Sequence, residues 1–196
     1  LDGRTRFLWV GQANVRKGWD LVGPTFTEAF PGRTDVSLTL KTMPHAGLAA
    51  QFRTSTGRVR VIAEAYTDAE MAALYRAHDV FIFPTRGEGF GLPALEAMAA
   101  ECLVLAPAIS GLADFFDGRV GWTLPWARRP AWYGIPVSVP EVIRAALVTA
   151  LRAAAAGREE TATLRARARA RALTYTWTRT AQAVLAAVDG LAAQAA

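Results

Sequence analysis

The chain has 196 residues, a formal charge of +5, and a composition that is 52% hydrophobic and 20% charged. That balance excludes a disordered chain, no apolar run is long enough to cross a bilayer, and the length suits one sizeable core. The charge comes from twenty arginines against two lysines, Lys17 and Lys41; this arginine and alanine bias is spread along the chain, so its sign names no partner.

In chain order, "RFLWVG" (6–11) is a short apolar run ending in glycine, whereas "VSLTLKT" (36–42) and "RVRVIAE" (58–64) alternate with period two. All three read as strands. Between the first two, apolar residues at 19, 22, 26 and 30 follow helical spacing, and Gly23-Pro24 either kinks that helix or restarts it. Thr67 and Glu70 form a capping-box pair opening an amphipathic helix that leads to the strand "DVFIFP" (79–84). Pro93 suits the first turn of the helix "PALEAMAA", and the apolar strand "CLVLA" (102–106) follows. Cys102 inside that strand reads as a buried, inert thiol with no partner for a disulfide, which fits a reducing compartment.

This alternation predicts a doubly wound α/β fold: a parallel sheet covered on both faces, Rossmann-like, with strand order 3-2-1-4 and a helical extension at the C-terminus. The segment "GWTLPWARRPAWYGIPVSVP" (121–140) reads as a packed irregular connection, and everything from about Pro140 onward as helix. In "LRARARARAL" (164–173) a helix would set Arg165 and Arg169 on one side and Arg167 and Arg171 on another, a solvated basic face or, second, a phosphate or anionic-lipid contact. The first residue is leucine and no secretory succession follows it, so the chain is expected to be cut from something longer.

The chemistry concentrates in "TRGEGFGLPALEAMA" (85–99), where Glu88 and Glu96 have seven residues between them around Gly-Phe-Gly and a proline. The loop sits at the carboxyl end of a strand, and the helix after it aims unpaired N–H groups and the positive end of its dipole at the same edge. Glycines 87, 89 and 91 would let the main chain approach an anion, which makes a cradle for phosphate or hydroxyl groups. Glu96, about one turn into the helix, is suited to a pair of hydroxyls such as a ribose diol; Glu88 in the loop is free to meet something different. A second turn, "GQANVRKG" (11–18), ends the first strand, so strand order puts both turns at one crevice and brings Lys17 to the glycine-rich loop, where a diphosphate fits. Neither turn is a GxGxxG or a GxxxxGK[ST], which counts against an ordinary dinucleotide site or a P-loop.

With these residues in view, "FLWVGQANVRKGWD", "YTDAEMAALYRAHDVFIFPTRGEGFGLPALEAMAA" and "LTYTWTRTAQAVLAAV" resemble the C-terminal, donor-binding domain of GT-B glycosyltransferases of family 4 (group 1). The most specific element is Glu88 and Glu96 within P-T-x-x-E-G-F-G-L-P-x-L-E-A-M-A, which begins at Pro84-Thr85. The resemblance implies a retaining transferase that takes a hexose from a nucleotide diphosphate sugar, UDP-, GDP- or ADP-linked, in the cytoplasm, with no cofactor and no metal. Glu96 matches the ribose-binding glutamate and Glu88 the glutamate facing the transferred sugar. Gly89, Phe90, Gly91 and Leu92 match the loop whose amides touch sugar and diphosphate, with Thr85 at its start. Lys17 matches the diphosphate lysine, and Tyr66 and Thr67 open the base-contacting segment. Residues 1–173 would then be the nucleotide-sugar domain, and 174–196 a helix bracing an N-terminal acceptor domain that is not in this chain.

One departure stands out. The family commonly has Gly-Arg where this chain has Gly11-Gln12, so a diphosphate cation is missing; Arg16 replaces it only if it points the other way from Lys17, and Lys41 is the second candidate. His78, between a helix and a strand, reads as structural, and His45 lies in a loop of unknown aim. Rival readings are a nucleotide-sugar-binding or scaffold module without turnover and an epimerase, which lacks convincing acid and base residues. On basic charge alone the runner-up is a nucleic-acid binder, which would show a steep salt dependence, but the transferase reading expects no nucleic acid; peripheral membrane contact through the arginine-rich helix is compatible with a transferase.

Overall fold

The structure, a computed structural model, describes residues 3–43, 57–130, 138–157 and 161–194. Six strands form one parallel sheet: β1 (Thr5–Val10), β2 (Val36–Lys41), β3 (Val59–Ile62), β4 (Val80–Ile82), β5 (Leu103–Ala106) and β6 (Trp122–Thr123), in the order β3-β2-β1-β4-β5-β6. The expected 3-2-1-4 arrangement is therefore present and continues by two strands. Because β1 pairs with β2 on one side and with β4 on the other, the chain reverses its direction of winding there, and a crevice opens at their carboxyl ends.

Side chains of β1 divide between the two faces with period two. Phe7 and Trp9 enter one buried cluster with α1 (Trp19–Ala29) and a later helix, α4 (Arg144–Ala156). Leu8 enters the other cluster, with Phe81, Phe83 and the helices α2 (Asp68–Arg76), α3 (Leu92–Ala99) and α5 (Ala162–Ala172). On the first face Phe7, Phe26 and Phe30 meet at centroid separations of 5.2 to 5.8 Å; burying each ring contributes about 2–3 kcal/mol. That cluster explains why Gly23-Pro24 does not break α1. Pro24 removes one backbone donor, but Val22 and Phe26 on either side are buried, and the Thr25 hydroxyl donates to the Leu21 carbonyl at 2.6 Å.

The reading of 121–140 as irregular is corrected. Trp122 and Thr123 add β6 to the sheet, and β7 (Trp126–Pro130) pairs antiparallel with β8 (Ser138–Val142), so Pro140 lies in a strand and helix begins only at Arg144. Trp132 and Tyr133 of that segment, and His45, lie outside the described residues. The arginines of α5 also differ from a purely solvated face. Ala168 and Ala172 are buried, and Arg169 and Arg171 reach outward to the Ala99 and Phe115 carbonyls at 3.1 Å, tying the end of α3 and the turn near Phe115 to α5.

The last helix, α6 (Trp177–Gln194), behaves differently from the rest: its side chains from 177 to 190 are all exposed. Trp177, Val184, Leu185 and Val188 fall on one stripe. Among the described residues no helix is long and apolar enough to cross a membrane.

Candidate functional site

The turn after β1 is a single 3-10 turn, Val15–Lys17, held by the Asn14 side chain, which accepts from the Lys17 N–H at 3.1 Å. Gly18 closes it at φ +70°, and a Cβ there would overlap the Pro84 carbonyl. Glycine is therefore required both for the left-handed turn and for the approach of the strand-β4 end. Lys17 Nζ, delivered across that approach, donates to both oxygens of Glu88, at 2.8 and 2.6 Å. Thr85 Oγ1 donates to the same carboxylate at 2.8 Å, and the Glu88 side chain is only 5% exposed. The two turns singled out in the sequence thus meet, and their opposite charges are paired with each other.

Arg16 does not point away from this pair. Its guanidinium donates to the Gly87 carbonyl at 2.7 Å and lies 3.8 Å from Glu88, so a second cation is present at the loop by converging with Lys17, which corrects the expectation that it would have to point the other way. Lys41 is held elsewhere: its buried Nζ donates to the Thr42 and Glu64 carbonyls and lies 4.9 Å from the Tyr66 ring centre. Burial lowers its pKa.

Arg86 is the residue that sequence reasoning missed. Its side chain, 4% exposed, forms a two-pronged pair with Asp20 of α1 at 2.8 and 2.9 Å, donates to Glu141 of β8 and to the Val15 carbonyl, and so clamps the glycine-rich loop to three other segments. Its neighbour Thr85 donates to the Arg16 carbonyl, and the Arg86 amide does the same at 2.7 Å. The only sequence signal was an arginine between Thr85 and a glycine, which is indistinguishable from the other nineteen.

From there the loop turns into α3. Gly91 caps the helix at φ +100°, where a Cβ would run into Leu112, and Pro93 occupies the first turn. Gly89 faces open space and a Cβ on Gly87 would meet only Ser110 Oγ, at 4.0 Å, so the two leave room above the helix N-terminus. Gly111, in the short turn Ser110–Asp114, packs against Gly89 from below and donates its amide to the Glu88 carbonyl at 3.3 Å. Phe90 packs with tilted rings on Phe115 and Tyr175, at 5.2 and 5.9 Å, which joins the loop to the root of α6, while Leu92 is exposed.

Glu96 emerges on the outer face of α3, where the Tyr75 hydroxyl donates to Oε2 at 2.8 Å. The groove between α2 and α3 is a cavity of about 550 Å³ lined by Met71, Tyr75 and Glu96 among others. Its apolar walls raise the pKa of Glu96, and the Tyr75 bond opposes that shift. A second cavity, about 410 Å³, is lined by Gly11, Gln12, Lys41, Tyr66 and again Met71, so that methionine borders both. The Thr67 hydroxyl is taken up with Glu70 in the capping box, which leaves Tyr66 as the side chain of that pair facing the cavity. His78 is held by the Leu74 carbonyl and Thr39 Oγ1, at 2.7 and 2.8 Å, in a structural role. Cys102 is buried, with its thiol pushed up to about 12 by desolvation.

Residues 4–132 match the model of the family described as glycosyl transferases group 1. The chain belongs to this family. The group 1 chain is 36% identical over 106 residues to a D-inositol 3-phosphate glycosyltransferase of Pseudarthrobacter chlorophenolicus, an alignment covering 50% of this chain and 24% of that protein. Sucrose-phosphate synthase from Thermosynechococcus elongatus superposes with a TM-score of 0.76 at 22% identity, over 99% of this chain and 47% of the other. HepE of Anabaena, solved in complex with UDP and glucose, gives 0.76 at 16% identity, over 96% and 49%. At those identities the structures share the GT-B Rossmann-like fold, and this group 1 chain spans less than half the length of each of the three proteins.

Proposed function

We propose that this chain is the donor-binding half of a retaining glycosyltransferase that moves a hexose from a nucleotide diphosphate sugar to an acceptor, the acceptor being bound by a domain outside the chain. The observation that carries this reading is the meeting of Lys17 with Glu88 at 2.6 Å beside the N-terminus of α3. A cation, a sugar-facing carboxylate and a dipole end converge where a diphosphate and its sugar would lie. Bound diphosphate would draw Lys17 from Glu88, with Arg16 as the second cation on the Gly87 side. Charge growing on the leaving diphosphate would be stabilised by these cations, by the amides of Gly89 to Leu92 and by the helix dipole, with no metal required. Released from Lys17, Glu88 would face the sugar and its developing positive charge. The nucleoside would run along Met71, with Glu96 on the ribose hydroxyls and the base toward Tyr66 and Gln12. That HepE is solved with UDP and glucose supports this choice of ligand class. Residues 1–173 would form this donor domain and 174–196 the helix that meets the acceptor domain, in a cytoplasmic enzyme that touches membranes at most peripherally.

Calorimetry with UDP, GDP and ADP tests the reading; no binding by any of the three would overturn it. Joined to its acceptor domain, Glu88→Gln should slow transfer more than it weakens binding, and Glu96→Ala should do the reverse. A second reading, binding without turnover, is favoured by Gln12 and by the pairing of Lys17 with Glu88. Transfer by the joined enzyme would exclude it.

A further inference from the structure

The pair Tyr75 and Glu96 has a feature that core packing does not demand. Tyr75 is buried in the second cluster, edge-on to Phe81 at 5.8 Å, and phenylalanine would fill that volume equally well. Its hydroxyl instead reaches the rim of the groove between α2 and α3 and meets the carboxylate that the donor-site reading assigns to ribose. A buried phenol needs a partner, and a glutamate on an open helix face has several rotamers to lose when a ligand orders it. One hydrogen bond answers both requirements, and because the phenol oxygen lies on the axis of a buried ring, its position is set by the packing. Glu96 lines the groove, and among the described residues the bond from Tyr75 engages only Oε2.

Resting on the donor-site reading, we propose that Tyr75 is a positioning residue: it holds one oxygen of Glu96 so that the carboxylate is already aimed at a 2′,3′-diol, and through that bond the protein distinguishes ribonucleotides from nucleotides lacking those hydroxyls. Ionised, Glu96 can accept on both oxygens, whereas protonation turns one of them into a donor and weakens its hold on a diol. The groove's apolar side chains and Asp68 of α2 push its pKa up, and the Tyr75 bond pulls it down. Asp68 and Arg76 from α2 and Arg169 from α5 also line the groove, and all three remain in place when the phenol oxygen is removed. Loss of the Tyr75 hydroxyl therefore has one sign: Glu96 protonates at higher pH, and binding fails earlier on acidification.

The experiment is calorimetry of the whole chain with whichever of UDP, GDP or ADP binds best, beside its 2′,3′-dideoxy analogue, from pH 5 to 8. For Tyr75→Phe the ribonucleotide should bind about tenfold more weakly and the dideoxy analogue within about twofold of wild type, with the acid limb for the ribonucleotide displaced to higher pH. In a Glu96→Ala background, Tyr75→Phe should add nothing further. Equal losses for both ligands would assign Tyr75 a merely structural role and overturn the proposal while leaving the donor site intact, as would an unchanged ribonucleotide affinity. Failure of all three nucleotides to bind the wild-type chain would overturn the donor-site reading, and this proposal with it. Binding of the dideoxy analogue doubles as the check that the variant is folded.

Discussion

The crevice between β1 and β4 and the helix α6 treat their side chains in opposite ways. In the crevice the charges answer one another: Lys17 meets Glu88, Arg86 meets Asp20 and Glu141, and Arg129 meets Glu141 at 2.7 Å. On α6 an apolar stripe faces solvent, with Trp177 80% exposed. The site is therefore stabilised from within this domain, whereas α6 has a face that this domain leaves uncovered. The two are joined where Tyr175 packs on Phe90 and Phe115 and donates to the Asp114 carbonyl at 3.2 Å. That contact connects the glycine-rich loop with whatever α6 meets.

The comparison breaks first at Arg86. Arg86→Met takes from Asp20 its two-pronged partner and leaves Glu141 with Arg129, both carboxylates being partly buried, so denaturant unfolding should show a loss of about 3 kcal/mol. A variant as stable as the wild type would mean that the clamp does not hold the crevice. Gly18→Ala forces a side chain into a left-handed turn and into the Pro84 carbonyl; a loss of about 2 kcal/mol is expected in the same measurement, together with weaker nucleotide binding as Lys17 is displaced. Lys17→Met should cost about 1–2 kcal/mol, because Glu88 keeps Thr85 and the nearby Arg16 but loses its closest cation, and should abolish detectable nucleotide binding by calorimetry. At the other extreme, Trp177→Ser should change stability by less than about 0.5 kcal/mol in this chain. A large loss there would show that α6 is packed after all and would erase the contrast.

Much of the frame was legible because it is local. Strict alternation in β2, the capping box at Thr67 and the proline in the first turn of α3 are decided by neighbours in sequence. The site was legible only in part. Glu88, Glu96 and Lys17 stood out because charge beside glycine at a strand end has few structural uses, and the strand order then brought two of them together. Arg86 gave no such signal, and β7 and β8 were hidden by prolines, which ordinarily interrupt strands but are accommodated in this two-stranded sheet, whose strands are edges. The continuity of α1 through Pro24 was equally invisible, since it depends on aromatic burial against β1.

The sequence by itself determined the order of elements as far as β5, the direction of those strands and the edge of the sheet at which the polar turns gather, because hydrophobic period and turn chemistry act over a few residues. Only the tertiary structure decided which charges pair, and how: Lys17 with Glu88 across 71 positions, Arg86 with Asp20 and Glu141 across 66 and 55, Tyr75 with Glu96 across 21. Such pairings follow from side-chain direction and packing at a crevice built by several elements, and no local pattern encodes them.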